Sequence, residues 1–300
     1  MIASDEVVVE QRNDPLIDRP FDIERLAAAP VVHRLLVCAP AHFAVDYVIN
    51  PWMQAHVHTA DATRAQRQWD TLVTTLRASG ADLAHIAGIY AQPDMVFTAN
   101  AGLVLGKDFV PSRFRHHERR GEEAPFTEWF RRAGFQIHRL PQELAFEGAG
   151  DALLDRATRR LWMGYGHRSE FDAAAELERL LDIDVVPLQL VDPRFYHLDT
   201  CFCPLRGGYL MYYPEAFTLP SRLKIQTLVA PERRIEISEY DALNFACNAV
   251  DLDRHLLLNR ASPVLEEKLS SIGYQTLQVP LDEFLKAGGA AKCLTLRLDE

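Results

Sequence analysis

No run of about 18 consecutive apolar residues occurs in this chain, so a membrane-spanning helix is not expected. The opening MIASDEVVVEQRNDPLIDRP lacks the basic start and apolar stretch of a secretory signal, and the expected location is the cytoplasm. Basic residues are in short supply: 32 Lys and Arg face 42 Asp and Glu, a formal net charge of −10 at pH 7. Nucleic-acid affinity rests largely on cations that neutralise phosphates, so the expected partner is a small molecule or another protein. Cysteine is scarce as well. The five, at 38, 201, 203, 247 and 293, form no CxxC pair, which fits reduced thiols and excludes a disulfide framework. The CxC of residues 201–203 stands alone among scattered histidines, without the ligand pairs of a structural zinc site.

What is present describes a globular chain: 300 residues, 48% hydrophobic and 25% charged, enough to bury a sizeable core. Residues 1–30, rich in Asp, Arg and Pro, read as a leader. No Pro/Gly/Ser linker divides the remainder, so residues 31–300 read as one domain. Strand-length apolar runs recur, among them RLLVCAP (34–40), DLAHIAG, MVFTANAGLVLG, VVPLQLV, FYHLDTCFCPLRGGYLMYY, RRIEIS, HLLLNR and CLTLRL. Helices are expected over residues 61–79, where Trp69, Leu72, Val73 and Leu76 fall at helical spacing before Gly80, and over FTEWFRRAGF (126–135). A third, SEFDAAAELERLLDI, would begin at an N-cap Ser169. The class is therefore alternating α and β, with several short strands for each helix.

Several residues could carry chemistry. Cys293, in KAGGAAKCLTLRL, is either a small packing residue starting the last strand or a thiol presented by the turn that Gly288 and Gly289 permit. His197 and Asp199, in FYHLDTCF, would share one face of a strand and make an acid/base pair; Cys201 and Cys203 have the same parity. In FEGAGDALL, Glu147 and Asp151 flank a turn that lacks the third glycine of a dinucleotide fingerprint, and two acids suit a cation better than a phosphate. Asn100, in VFTANAG, is either a turn former or a ligand contact at a strand end. The run PSRFRHHERRGEE (111–123) is a solvated loop or the source of an arginine that clamps a carboxylate.

Taken together, FTAN, FEGAGD, HLDT and GGAAKC, in that order over residues 97–293, resemble the motifs of the guanidine-modifying amidinotransferase (pentein) superfamily, which includes arginine deiminase and dimethylarginine dimethylaminohydrolase. INPWM (49–53), VFTANAG, PSRFRH (111–116) and NFACN (244–248) make the resemblance greatest to the cyanobacterial-type arginine dihydrolases, in which asparagine stands where deiminases use aspartate. The resemblance implies an α/β propeller of five ββαβ-like units about a pseudo-fivefold axis, with the substrate in a buried acidic channel. It also implies roles: Cys293 as nucleophile, His197 as general acid/base, Glu147 and Asp199 as guanidinium-holding carboxylates, and Asn100 as the residue separating dihydrolase from deiminase. Substrate contacts would come from Asn50, Asp151, Arg168 and one arginine of the 113–120 cluster, Arg119 being preferred over Arg115 and Arg120. Some relatives fuse this module to an ornithine-processing domain; here ornithine is expected to be handled elsewhere.

The chemistry suits these residue types. A guanidinium carbon is a poor electrophile, so carboxylates must orient it and a thiolate must attack it, while an imidazole protonates departing ammonia and deprotonates water. Neither metal nor organic cofactor is required. The expected substrate is L-arginine, giving ornithine; deiminase or dimethylarginine chemistry giving citrulline, or another guanidino substrate, is the alternative within the superfamily. A silent binding module for cationic amino acids is the alternative outside it. A homo-oligomer stays possible.

Overall fold

The structure is a computed structural model that describes residues 33–300; the leader expected over residues 1–30 lies outside the described residues. These residues form five sheets of three strands each, all built alike. In four of them two consecutive strands pair antiparallel across a short turn, and a third joins parallel to the second after a helical crossover. That follows from geometry: a hairpin closes with a few residues, whereas a parallel neighbour requires a long return path.

In the first sheet β1 (Arg34–Cys38) runs parallel to β2 (Asp82–Ile86), with α1 (Ala62–Ala78) between them. The second holds β3 (Gly102–Leu105), β4 (Asp108–Pro111) and, after α2 (Glu123–Arg132), β5 (Gln136–Ile137). β6 (Ala152–Asp155), β7 (Arg160–Tyr165), α3 (Ala173–Leu181) and β8 (Val185–Gln189) make the third. The fourth contains β9 (Phe202–Pro204), β10 (Leu210–Tyr212), α4 (Leu219–Leu228) and β11 (Arg234–Glu236). A short α5 (Glu239–Leu243) leads to the fifth: β12 (Val250–Leu252), β13 (His255–Leu258), α6 (Pro263–Ser271) and β14 (Gln275–Gln278). After α7 (Asp282–Leu285), β15 (Leu296–Arg297) returns to pair antiparallel with β1, so the last strand supplies the first sheet's missing hairpin partner.

Local chemistry accounts for the element ends. Asp61 caps α1 by accepting from Arg64 N at 2.9 Å, and the helix buries Trp69, Leu72, Val73 and Leu76 as their spacing requires. Three expectations need correction. Helix α3 begins beyond Ser169, whose hydroxyl is buried and donates to Asp151 at 2.6 Å instead of capping the helix. HLDT is not strand: Leu198–Thr200 is a 3-10 turn and β9 starts at Phe202, so His197 and Asp199 do not meet by strand parity. MVFTAN is likewise two 3-10 turns, Pro93–Val96 and Thr98–Ala101, that precede β3. In the last two cases a buried segment was mistaken for a strand although its backbone is not extended.

Candidate active site

The first strand of each hairpin is entered through a tight, buried turn, and the five turns carry the candidate residues. Asn100 lies two residues before β3, Glu147 stands at the turn Gly148–Gly150 before β6, and His197 and Asp199 lie before β9. Asn248 lies two residues before β12 and Cys293 three before β15. Hydrogen bonds join the turns in a closed ring. Asn100 Nδ2 donates to Glu147 O (3.4 Å), Glu147 Oε2 pairs with His197 Nε2 (2.7 Å), and Asn248 Nδ2 donates to Asp199 O (3.1 Å). Asn248 Oδ1 accepts from Cys293 N (3.0 Å), and Ala99 N donates to Cys293 O (3.1 Å), which returns the ring to its start.

Close packing makes this ring possible. A Cβ on Gly150 would run into Asn100 Nδ2 and press on the His197 ring, so a side chain there would push two turns apart. Gly288 sits at φ +82°, a left-handed conformation that lets the chain turn beneath Tyr196 before reaching the thiol.

The charges are arranged against one another. Glu147 is completely buried, which opposes its ionisation, but the Arg168 guanidinium at 2.9 Å and the His197 hydrogen bond hold the carboxyl well below the usual range. Burial pushes His197 down to about 4 in spite of Glu147, so the imidazole is neutral at pH 7. Cys293 donates from Sγ to Asp199 Oδ2 at 3.2 Å, and burial with the neighbouring carboxylate pushes the thiol well above its usual value. Asp199, itself buried, is pushed up to about 6. The site as folded therefore favours a protonated thiol beside a neutral histidine, a balance that an entering cation would overturn.

Beside the thiol is a small cavity of about 10 Å³, lined by Asn50, Asp94, Asn100, Arg119, Arg168 and Cys293 among others. Of the 113–120 cluster, Arg119 lines it, whereas Arg113, Arg115 and Arg120 line a separate surface recess. Arg119 is buried, bidentate to Glu122 at 2.8 and 2.9 Å, and donates to Asn100 Oδ1 at 2.9 Å. Arg168 stacks over Tyr196 at 4.5 Å. Asn50 reaches across to Ala287 O and caps Trp52 N.

Asp151, expected among the substrate contacts, is held by backbone and hydroxyl donors. Its oxygens accept from Ser169 N, Ser169 Oγ and Leu198 N, so it braces the segments carrying Arg168 and His197. Cys201 and Cys203 pack in the core, as their apolar neighbours suggest.

Two contributors escaped the sequence reading. Asn248 lies within NFACN, but nothing in the motif shows that its Nδ2 is 3.0 Å from Cys293 Sγ. Asp94 is buried in the cavity wall with Oδ2 bound by Tyr47 and Oδ1 without a hydrogen-bond partner among the described residues. Its signal was an acid at the head of the apolar run Met95–Phe97, which argues for a partner where that run is buried.

A family model described as N,N dimethylarginine dimethylhydrolase, eukaryotic, matches residues 39–299. The chain belongs to that family. Within it, the bifunctional arginine dihydrolase/ornithine cyclodeaminase AgrE of Nostoc sp. (strain PCC 7120) is 55% identical over 268 residues, which cover 89% of this chain and 38% of that protein. The N(G),N(G)-dimethylarginine dimethylaminohydrolase of Mycobacterium tuberculosis is 37% identical over 269 residues, covering 90% of this chain and 87% of that one. This chain thus spans well under half the length of the bifunctional relative.

Among solved structures, the N-terminal domain of ArgZ, a cyanobacterial arginine dihydrolase, bound to substrate as a cysteine-to-serine mutant, superposes with a TM-score of 0.88. It is 53% identical and covers 89% of this chain and 98% of that one. An asparagine-to-serine form of the same domain, covalently bonded to a reaction intermediate, also gives 0.88 at 53% identity, with the same coverage. The dimethylarginine dimethylhydrolase family thus accounts for the mixed α/β fold and its repeated sheets. Among the described residues no helix is long and apolar enough to cross a membrane.

Proposed function

We propose that this chain hydrolyses L-arginine to ornithine, carbon dioxide and two ammonia. The observation that carries the reading is the ring itself, which holds a cysteine thiol hydrogen-bonded to one carboxylate and a histidine–glutamate pair in adjoining buried turns, with a neutral asparagine at position 100. The likeness to arginine dihydrolases, one of them trapped as a covalent intermediate, supports it.

In this reading Glu147 and Asp199 hold the guanidinium, Arg119 and Arg168 hold the α-carboxylate, and Asn50 shapes the entrance. The unpaired Asp94 oxygen suits the α-ammonium. The bound cation lowers the thiol's pKa, His197 takes its proton, and Sγ attacks the guanidinium carbon. His197 then returns the proton to the departing nitrogen, releasing ammonia and leaving an amidino group on sulfur. Water, deprotonated by the same imidazole, adds to that carbon. A second loss of ammonia and a second water give ornithine and carbon dioxide, and the atoms of arginine plus two waters are accounted for.

The five units close into a propeller about a pseudo-fivefold axis, a reading supported by the β1–β15 pairing and the ring of turns. Residues 31–300 serve as a single catalytic domain, working in the cytoplasm. The test is product analysis with L-arginine. Ornithine with two ammonia per arginine, lost in Cys293→Ala, is expected; citrulline alone would make the chain a deiminase. Asn100→Asp should move the product toward citrulline, and an unchanged ornithine yield would count against that role.

A further inference from the structure

We propose that ammonia leaves, and hydrolytic water arrives, through a second cavity behind Cys293, on the side of Asp199 away from the substrate. The inference rests on the amidino-enzyme reading above. That intermediate stays bonded to the whole amino-acid tail, which fills the front cavity as far as Arg119 and Arg168. Each turnover nevertheless requires two ammonia to depart and two waters to reach the same carbon. A front entrance stoppered by the tail cannot serve both.

The second cavity, about 40 Å³ against about 10 Å³ for the first, is lined by Asp199, Lys292, Cys203, Ala249, Asp251 and Arg156 among others. The two spaces meet at one contact, Asp199 Oδ2 to Cys293 Sγ at 3.2 Å. The other Asp199 oxygen, Oδ1, is buried without a hydrogen-bond partner among the described residues, and so is Asp251 Oδ1; both residues line the second cavity. Unpaired carboxylate oxygens in a confined space accept from small N–H and O–H donors, which describes ammonium and water. Lys292 is half-buried and Arg156 exposed, so the cavity reaches solvent at its far end. Asp199 thereby has two faces: one oxygen toward the sulfur and one toward the exit.

Filling the second cavity tests the route. Cys203 in β9 and Leu154 in β6 line it and make no bond to Asp199, Asn248 or Cys293. Cys203→Met, Cys203→Phe and Leu154→Trp should lower steady-state ammonia release in order of added bulk, by about tenfold for the largest. The covalent intermediate should accumulate by intact-protein mass spectrometry. Inactivation by a haloacetamidine, which enters from the front and alkylates Cys293, should keep its wild-type rate. Turnover within twofold of wild type in folded variants overturns the rear route, as does a parallel loss of alkylation, which would mean a distorted site. The flexible methionine fills irregular space gently and carries the test where the larger residues prevent folding. Absence of any ammonia from the wild-type chain would instead overturn the arginine reading, and this route with it.

Discussion

The Asn248 side chain makes four hydrogen bonds without touching solvent. Its Oδ1 accepts from Ala290 N and Cys293 N, and its Nδ2 donates to Asp199 O and toward Cys293 Sγ. The first pair shapes the turn that presents the thiol; the last contact favours the thiolate, since an N–H directed at sulfur is worth more when the sulfur is charged. Asn248→Ala should therefore shift the pH profile of Cys293 alkylation upward and slow turnover roughly 10- to 100-fold. A purely structural role would lower activity without moving the profile, and that result would remove the electrostatic part of the argument. At this scale the sequence was a partial guide. The motifs carrying Cys293, His197 and Glu147 stood out because together they resemble those of a family, while Asn248 and Asp94 did not, because amides and acids serve many purposes and only their neighbours reveal which.

Among the elements, the turns that precede β3, β6, β9 and β12 matter more to the site than the strands they feed. Helix α1 could be read directly, since a helix with one buried face writes a 3.6-residue period into its sequence. The turns write no period. Thr98–Ala101 and Leu198–Thr200 are wholly buried, so their residues are apolar or small on every side and imitate strands. Gly150 shows how tightly they fit. Gly150→Ala should leave the far-ultraviolet circular dichroism unchanged but abolish arginine turnover, because its methyl would displace Asn100 and press on His197. Full activity in that variant would mean that the turns have slack the packing does not show.

For residues 33–300 as a whole, stability depends on joining the two ends of the described chain. β15 is only two residues long, yet Leu296 and Leu298 are buried beside Leu36, Phe109 and Phe130. Leu296→Ala removes a buried side chain from that junction and should cost about 2–5 kcal/mol in denaturant unfolding. A loss under about 1 kcal/mol, of the size usual for surface sites, would mean that the junction is not part of the cooperative core.

The sequence by itself determined the class, the order of the motifs and the candidate residues, because periodicity, composition and short motifs are local properties of the chain. Only the tertiary structure decided which turn meets which: that Asp151 braces while Asp199 touches the thiol, that Arg119 is the cluster's inward arginine, and that Asn248 lies beside the sulfur. Those choices depend on contacts between residues dozens to hundreds of positions apart, and they are settled by packing, which no local stretch encodes.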